Sequence, residues 1–210
     1  MMRRVTCVLA LLAAAAPAFA GKYNAVLNIG DPAPAWTDLE GVDGRRHSLS
    51  DSADKEVVVV VFTCNSCPVA TDYEDRIIAF AKKSAAPESK VALVAINVNK
   101  VAEGQLPKIR VRAEAKGFIN LFPYLYDDTQ QIGRAFGAAF TPEFFVLNRQ
   151  RQVVYMGGMD DNSRAEEVKT NFLDPAVEAA LAGKTPDVTE APAIGCRVRY
   201  EHERRGKADK

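Results

Sequence analysis

Val57 to Phe62 constrains the chain more than any other stretch: six apolar residues without a break, five of them valine. Branching at Cβ restricts these side chains in a helix and suits them to a pleated strand. A short run that is apolar at every position, rather than at every second one, is a strand covered on both faces. Such a strand needs neighbours on either side and layers above and below it. Val91 to Ile96 is a second strand of the same kind. Between them Val69, Tyr73, Ile77 and Phe80 recur at helical spacing and make an amphipathic helix.

The rest of the pattern alternates in the same way. A helix is expected from about Pro107 to Lys116, with proline in its first turn and Gly117 beyond its end. A strand over Phe122–Tyr126 leads to a helix carrying Ile132 and Phe136, and then to Thr141-Pro142. Strands Phe144–Leu147 and Val153–Tyr155 flank a turn at 148–151. Helix signals resume at Arg164 and restart at Asp174-Pro175, as N-cap and first residue, ending at Gly183. Ahead of all this, residues 28–36 are extended and proline-stiffened, and Asp43-Gly44 turns a hairpin between strands near 35–40 and 45–49. The alternation predicts an α/β sheet with helices on both faces, in one domain.

The chain's ends are different. Arg3 and Arg4, an apolar run from Val5 to Ala16, and Ala18-Phe19-Ala20 have the order of an export signal. The run is too short for a membrane span of about twenty residues. Residues 1–20 are expected to leave as a signal peptide, taking Cys7 with them, so that the mature chain is exported to the periplasm or secreted. Residues 21–183 form the domain, and 184–210 form a C-terminal extension, proline-rich and then charged from Glu201, that is expected to be partly disordered. Hydrophobic residues are 48% of the chain and charged residues 26%, which excludes wholesale disorder. The 27 basic and 27 acidic side chains balance, and loss of Arg3 and Arg4 leaves a net charge of only −2. Neither a nucleic-acid partner nor a membrane span is expected.

Three cysteines remain: Cys64, Cys67 and Cys196. Two stand in Phe62-Thr63-Cys64-Asn65-Ser66-Cys67-Pro68, where the buried strand meets the amphipathic helix. Helix N-termini favour negative charge, so Cys64 is expected at the helix start as the attacking thiolate, with Cys67 one turn deeper as the releasing thiol. The spacing also allows an inert disulfide or half of a metal site. Zinc would need further ligands, for which Cys196, His47 and His202 are available, and soft thiolates also suit copper(I).

With these pieces in place the chain resembles the thioredoxin superfamily and, within it, the exported peroxiredoxin-like redoxin branch. The resemblance rests on Ile29-Gly30-Asp31-Pro32-Ala33-Pro34, on Phe62 to Ala70 with the two cysteines, and on Phe122-Pro123-Tyr124-Leu125-Tyr126-Asp127. Phe136-Gly137-Ala138, Thr141-Pro142-Glu143, Gly157 with Asp160-Asp161-Asn162, and Gly195-Cys196 complete it. It implies a thioredoxin-like fold, with a central mixed sheet and the N-terminal hairpin as an extension. It also implies a cis Pro142 facing the cysteines, and a Thr141 whose backbone pairs with an extended substrate strand. The implied function is thiol–disulfide exchange through Cys64 and Cys67, with disulfide-bearing proteins or small thiols as substrates, a redox partner protein, and no cofactor. Thiol peroxidase chemistry and copper or zinc binding by the same cysteines are the alternatives.

Two departures bear on that chemistry. The superfamily's buried acid, six residues before the first cysteine, is replaced here by Val58, leaving Glu56 or Glu74 to act through water. The peroxiredoxin pattern of a threonine before the reactive thiol and an arginine beside it is only echoed by Thr63 and Cys67-Pro68. Cys196 is a candidate third redox thiol or ligand, or else a packing cysteine. Ala191-Pro192-Ala193-Ile194 is apolar enough to carry it back over the domain. Asp160-Asp161-Asn162 reads as a capped turn before a cation site.

Overall fold

The computed structural model describes residues 21–201, so the expected signal peptide at 1–20, His202 and the charged end of the extension lie outside the described residues. The fold is thioredoxin-like. The strands are β1 (Leu39–Gly41), β2 (Arg46–His47), β3 (Val57–Phe62), β4 (Val91–Asn97), β5 (Tyr124–Tyr126), β6 (Phe140–Thr141), β7 (Glu143–Leu147), β8 (Val153–Gly157) and β9 (Cys196–Arg197). The helices are α1 (Pro68–Ser84), α2 (Leu106–Ala115), α3 (Gln131–Phe136) and α4 (Leu173–Leu181). Seven strands make one mixed sheet in the order β2-β1-β5-β4-β3-β7-β8, and β6 with β9 make a second, two-stranded piece.

β3 lies centrally, parallel to β4 and antiparallel to β7. Its apolar run divides by the two-residue period of a strand. Val57, Val59 and Val61 face Tyr73 and Ile77 of α1, Ile109 of α2 and Leu173 and Val177 of α4. Val58, Val60 and Phe62 face Trp36, Phe136 of α3, Phe145 and Leu147. The second layer is aromatic at its centre: Phe62 lies 5.3 Å from Phe136 and 5.7 Å from Phe145 between ring centroids.

Away from the cysteines, the hairpin and the segment after Arg164 depart from the sequence reading. The hairpin at Asp43-Gly44 forms, but its strands are shorter than expected and join the main sheet through β1 and β5. Asp38, with φ of 54°, keeps the preceding residues out of the ladder. The helix expected from Arg164 is a single 3-10 turn, Ala165–Glu167. Side-chain bonds compete with helix formation there. Asn162 Oδ1 accepts from the Arg164 amide at 3.0 Å and Asp161 Oδ1 from the Lys169 amide at 2.9 Å, while Asp160 bridges to Asn171. Asp160 itself is committed to Tyr73 and Arg76 of α1. That segment is a folded turn docked on α1.

Residues 184–201 follow the domain surface as a strap. Its first anchor is β8, where the Met156 amide donates to Thr189 O at 3.1 Å and the Ala191 amide to Met156 O at 3.2 Å. Gly157 is required at that crossing, because its φ is 138° and a Cβ would stand 2.0 Å from Ala191 O. The strap then pairs with β6 through β9. Beyond it the Tyr200 hydroxyl donates to Ala138 O at 2.7 Å, and the buried Gln130 amide group donates to Val98 O at 2.7 Å and Arg199 O at 2.9 Å.

Two outcomes test this packing. Phe62→Ala should lower stability by about 3–5 kcal/mol in urea unfolding, the usual cost of emptying a fully enclosed aromatic site; a loss below ~1 kcal/mol would mean that the aromatic layer is loosely packed. Glu143, at the start of β7, is buried with only the Ala139 and Phe140 amides as partners, and burial pushes its carboxyl up from 4.5 to about 7. The folded state therefore favours the protonated form. Stability should fall as pH rises from about 4.5 through about 7, and Glu143→Gln should flatten that decline.

Candidate active site

β3 ends at Phe62 and the backbone leaves the sheet through Thr63-Cys64-Asn65-Ser66 before α1 begins at Pro68. The helix therefore starts after both cysteines. Cys67, not Cys64, is its N-cap, with extended φ and ψ of −103° and 114°. This corrects the expected arrangement, and its cause is local. Pro68 has no N–H to leave unsatisfied and its fixed φ suits the first helical position, so it sets the start. The Cys67 sulfur takes the role that a serine or aspartate oxygen plays at other helix starts, accepting the Ala70 amide at 3.3 Å.

All three cysteines are free thiols and meet in one place. Cys64 and Cys67 are buried in one cluster with Ala70, and the half-buried Cys196 packs against this cluster. The Cys196 amide donates to Cys67 Sγ at 3.3 Å. In its thiol form Cys67 donates to Thr141 O at 3.1 Å. Cys64 Sγ lies 3.4 Å from Thr141 Oγ1 and accepts from Ser66 Oγ at 3.5 Å. The Thr141–Pro142 bond is cis.

The Thr141 backbone, expected to receive a substrate strand, is paired instead with the chain's own Cys196. Gly195 makes this close approach available. A Cβ there would stand 2.1 Å from Thr141 O. Nothing in the sequence marks Thr141 as the partner of Cys196, because the two lie far apart along the chain.

The two buried sulfurs differ in electrostatics. The neighbouring Cys64 side chain, with the Ala70 and Cys196 amides, brings the Cys67 thiol down from 9.0 to about 7 against burial and the Cys196 side chain, which push it up. Cys64 moves the other way, raised first by its bond to Cys67 and then by burial. Charge at this site belongs on Cys67, which has the helix N-terminus under it.

The two glutamates nominated to stand in for an acid at Val58 are separated by the fold. Val58 is buried in the apolar layer. Glu56 is at the far end of β3, ion-paired with Lys90 at 2.9 Å. Glu74 lines a small apolar cavity together with Thr63, Cys64, Phe118 and Tyr124. Its carboxylate is held by Arg112, at 2.9 Å from Nε and 2.6 Å from Nη2. Of the other expected positions, His47 pairs with Asp43 at 3.1 Å in the hairpin, and Trp36 packs 6.5 Å from Phe136. Among the described residues no group of three His, Cys, Asp or Glu side chains is arranged to hold a metal ion. No described helix is long and apolar enough to cross a membrane.

The Redoxin family profile matches residues 28–171. The thiol-disulfide oxidoreductase ResA of Geobacillus thermodenitrificans is 26% identical over 157 residues, covering 73% of this chain and 83% of that protein. A hypothetical protein from Sinorhizobium meliloti has a solved structure with a TM-score of 0.77 and 31% identity, covering 86% of this chain and 98% of its own. An uncharacterized conserved protein from Geobacillus kaustophilus gives 0.76 and 30%, covering 86% and 96%. A thiol:disulfide interchange protein from Chlorobium tepidum, at 24% identity and a TM-score of 0.53, covering 74% of this chain and 99% of its own, shares the fold. The chain belongs to the redoxin family and is an oxidoreductase of thioredoxin type.

Proposed function

We infer that the protein is an exported thiol–disulfide oxidoreductase whose working couple is Cys64–Cys67, with Cys67 as the attacking thiol. The observation that carries this is the N-cap position of Cys67, where its sulfur accepts the Ala70 and Cys196 amides. The Cys67 thiolate attacks one sulfur of a substrate disulfide and forms a mixed disulfide as the other substrate thiol leaves. Cys64, which acts on the same sulfur through its own thiol, attacks next. The second substrate thiol is released, and the Cys64–Cys67 disulfide has taken up the oxidising equivalents. A reducing partner protein completes the cycle. Disulfide-bearing proteins or small thiols are the substrates. A substrate strand that uses Thr141 and Pro142 must first displace β9 from that edge.

Export rests on the order of charge, apolar run and small residues at 1–20, and is consistent with a working disulfide. Peroxidase activity is the second reading, favoured by the same finding that the helix-capping thiol is the one followed by proline. Consumption of hydrogen peroxide at the expense of a dithiol, lost in Cys67→Ser, would select it.

For the leading reading, insulin reduction by dithiothreitol should be accelerated by the protein, and Cys67→Ser should remove at least about 100-fold of that acceleration, as loss of a nucleophile does. Retention of most activity in Cys67→Ser, with loss in Cys64→Ser, would return the attacking role to Cys64. The rate of alkylation at Cys67 in reduced protein should climb through a midpoint near pH 7, because only the thiolate reacts. Cys64 should react only at much higher pH.

A further inference from the structure

Cys64 and Cys67 are both buried, at 3% and 1% exposure, whereas Cys196 is half-buried. The strap that crosses this site packs a third thiol against the two buried ones. We propose that Cys196 is a redox residue of this site. It takes over the disulfide from Cys64 by exchange at Cys67, and presents it to an external dithiol protein. This proposal rests on the dithiol reading above and adds a step to it.

The juxtaposition is constructed on both sides of Cys196. Upstream, the strap is tied to β8 at Thr189 and Ala191 and crosses Thr141 at Gly195, with no room for a side chain. Downstream, the Val198 amide donates to Ala139 O at 2.9 Å and the Arg199 amide to Asn99 Oδ1 at 2.8 Å. Gln130 Oε1 accepts the Glu201 amide at 2.8 Å. Between these anchors Cys196 pairs with Thr141, and its amide touches Cys67 Sγ. The Cys196 side chain itself packs against the Cys64 and Cys67 cluster. The pairing with the edge next to Pro142 also places Cys196 where an incoming substrate strand would sit, so the strap holds its thiol as a bound substrate would.

The step is an internal exchange. The Cys196 thiolate attacks Cys67 Sγ of the Cys64–Cys67 disulfide. A Cys67–Cys196 bond forms, the Cys64–Cys67 bond breaks, and the electron pair leaves on Cys64, which takes up a proton. Nothing is oxidised or reduced overall. A partner dithiol then attacks Sγ of Cys196, the less buried residue of the pair, and expels the Cys67 thiolate. Its second thiol resolves the mixed disulfide and returns all three cysteines to the reduced form.

The test is disulfide mapping of the full mature protein after exposure to micromolar oxidised glutathione, acid quench, alkylation and peptide mass spectrometry. In Cys64→Ser, a Cys67–Cys196 linked peptide should dominate, with the Cys67–glutathione adduct below about a tenth of it, because a tethered thiol acts at millimolar effective concentration or above. In wild-type protein the same linked peptide should appear beside Cys64–Cys67. Gly195→Val, which lifts the strap from Thr141, should lower the yield of Cys67–Cys196 at least about tenfold. Accumulation of the glutathione adduct in Cys64→Ser, with no Cys67–Cys196 peptide there or in wild type, would overturn the proposal. Cys196→Ser separates the two levels. A Cys64–Cys67 disulfide in that variant upholds the dithiol reading whatever Cys196 does, and its absence under the same oxidation would remove that reading.

Discussion

Thr141 is the point through which all three cysteines are held. Its carbonyl oxygen accepts from Cys67, its hydroxyl lies beside Cys64, and its backbone pairs with Cys196. A single peptide unit, next to a cis proline, therefore sets the distances among three reactive sulfurs that come from widely separated parts of the chain. The rest of the fold supplies its rigidity. β6 and Thr141 run directly into β7, which is antiparallel to the central β3, and β3 in turn delivers Cys64 and Cys67. Strand and loop are referred to one another through the same sheet, which is the condition for a site held to fractions of an ångström.

The major elements were legible because their signals are local. The six-residue apolar run, the helical spacing from Val69 to Phe80 and the turn at Asp43-Gly44 are each contained in a short window, and each lies within a residue or a few of its expected place. The expected helix at Arg164 was absent because acidic and amide side chains bond to nearby backbone instead. The reading of the two cysteines turned on where the helix begins. A helix beginning at Pro68 rather than four residues earlier transfers the N-terminal amides from Cys64 to Cys67. Sequence spacing gives the pair but not that start. The position of Cys196 was even less accessible, since it depends on a pairing with Thr141 that no local pattern encodes.

The site also shows how the chain manages without an acid at Val58. A carboxylate there would lie in the aromatic layer against Phe62 and Phe145, where charge is costly and no partner is provided. Glu74, which shares a small cavity with Cys64, is on the opposite face and spends its charge on Arg112. The donors that face the Cys67 sulfur are instead the backbone amides of Ala70 and Cys196.

The strap's double anchoring has an entropic consequence. A thiol at the tip of a free tail explores a large volume, and its local concentration falls steeply as the tail lengthens. Here the segment is pinned at Ala191 on one side and at Tyr200 on the other, so the Cys196 backbone has already lost that freedom before any reaction occurs. The ordering cost was met during folding, by contacts that have no part in the chemistry. A substrate that wants the same edge must therefore compete against a strand that is already immobilised, and only one whose own pairing and side chains outweigh those anchors can take its place.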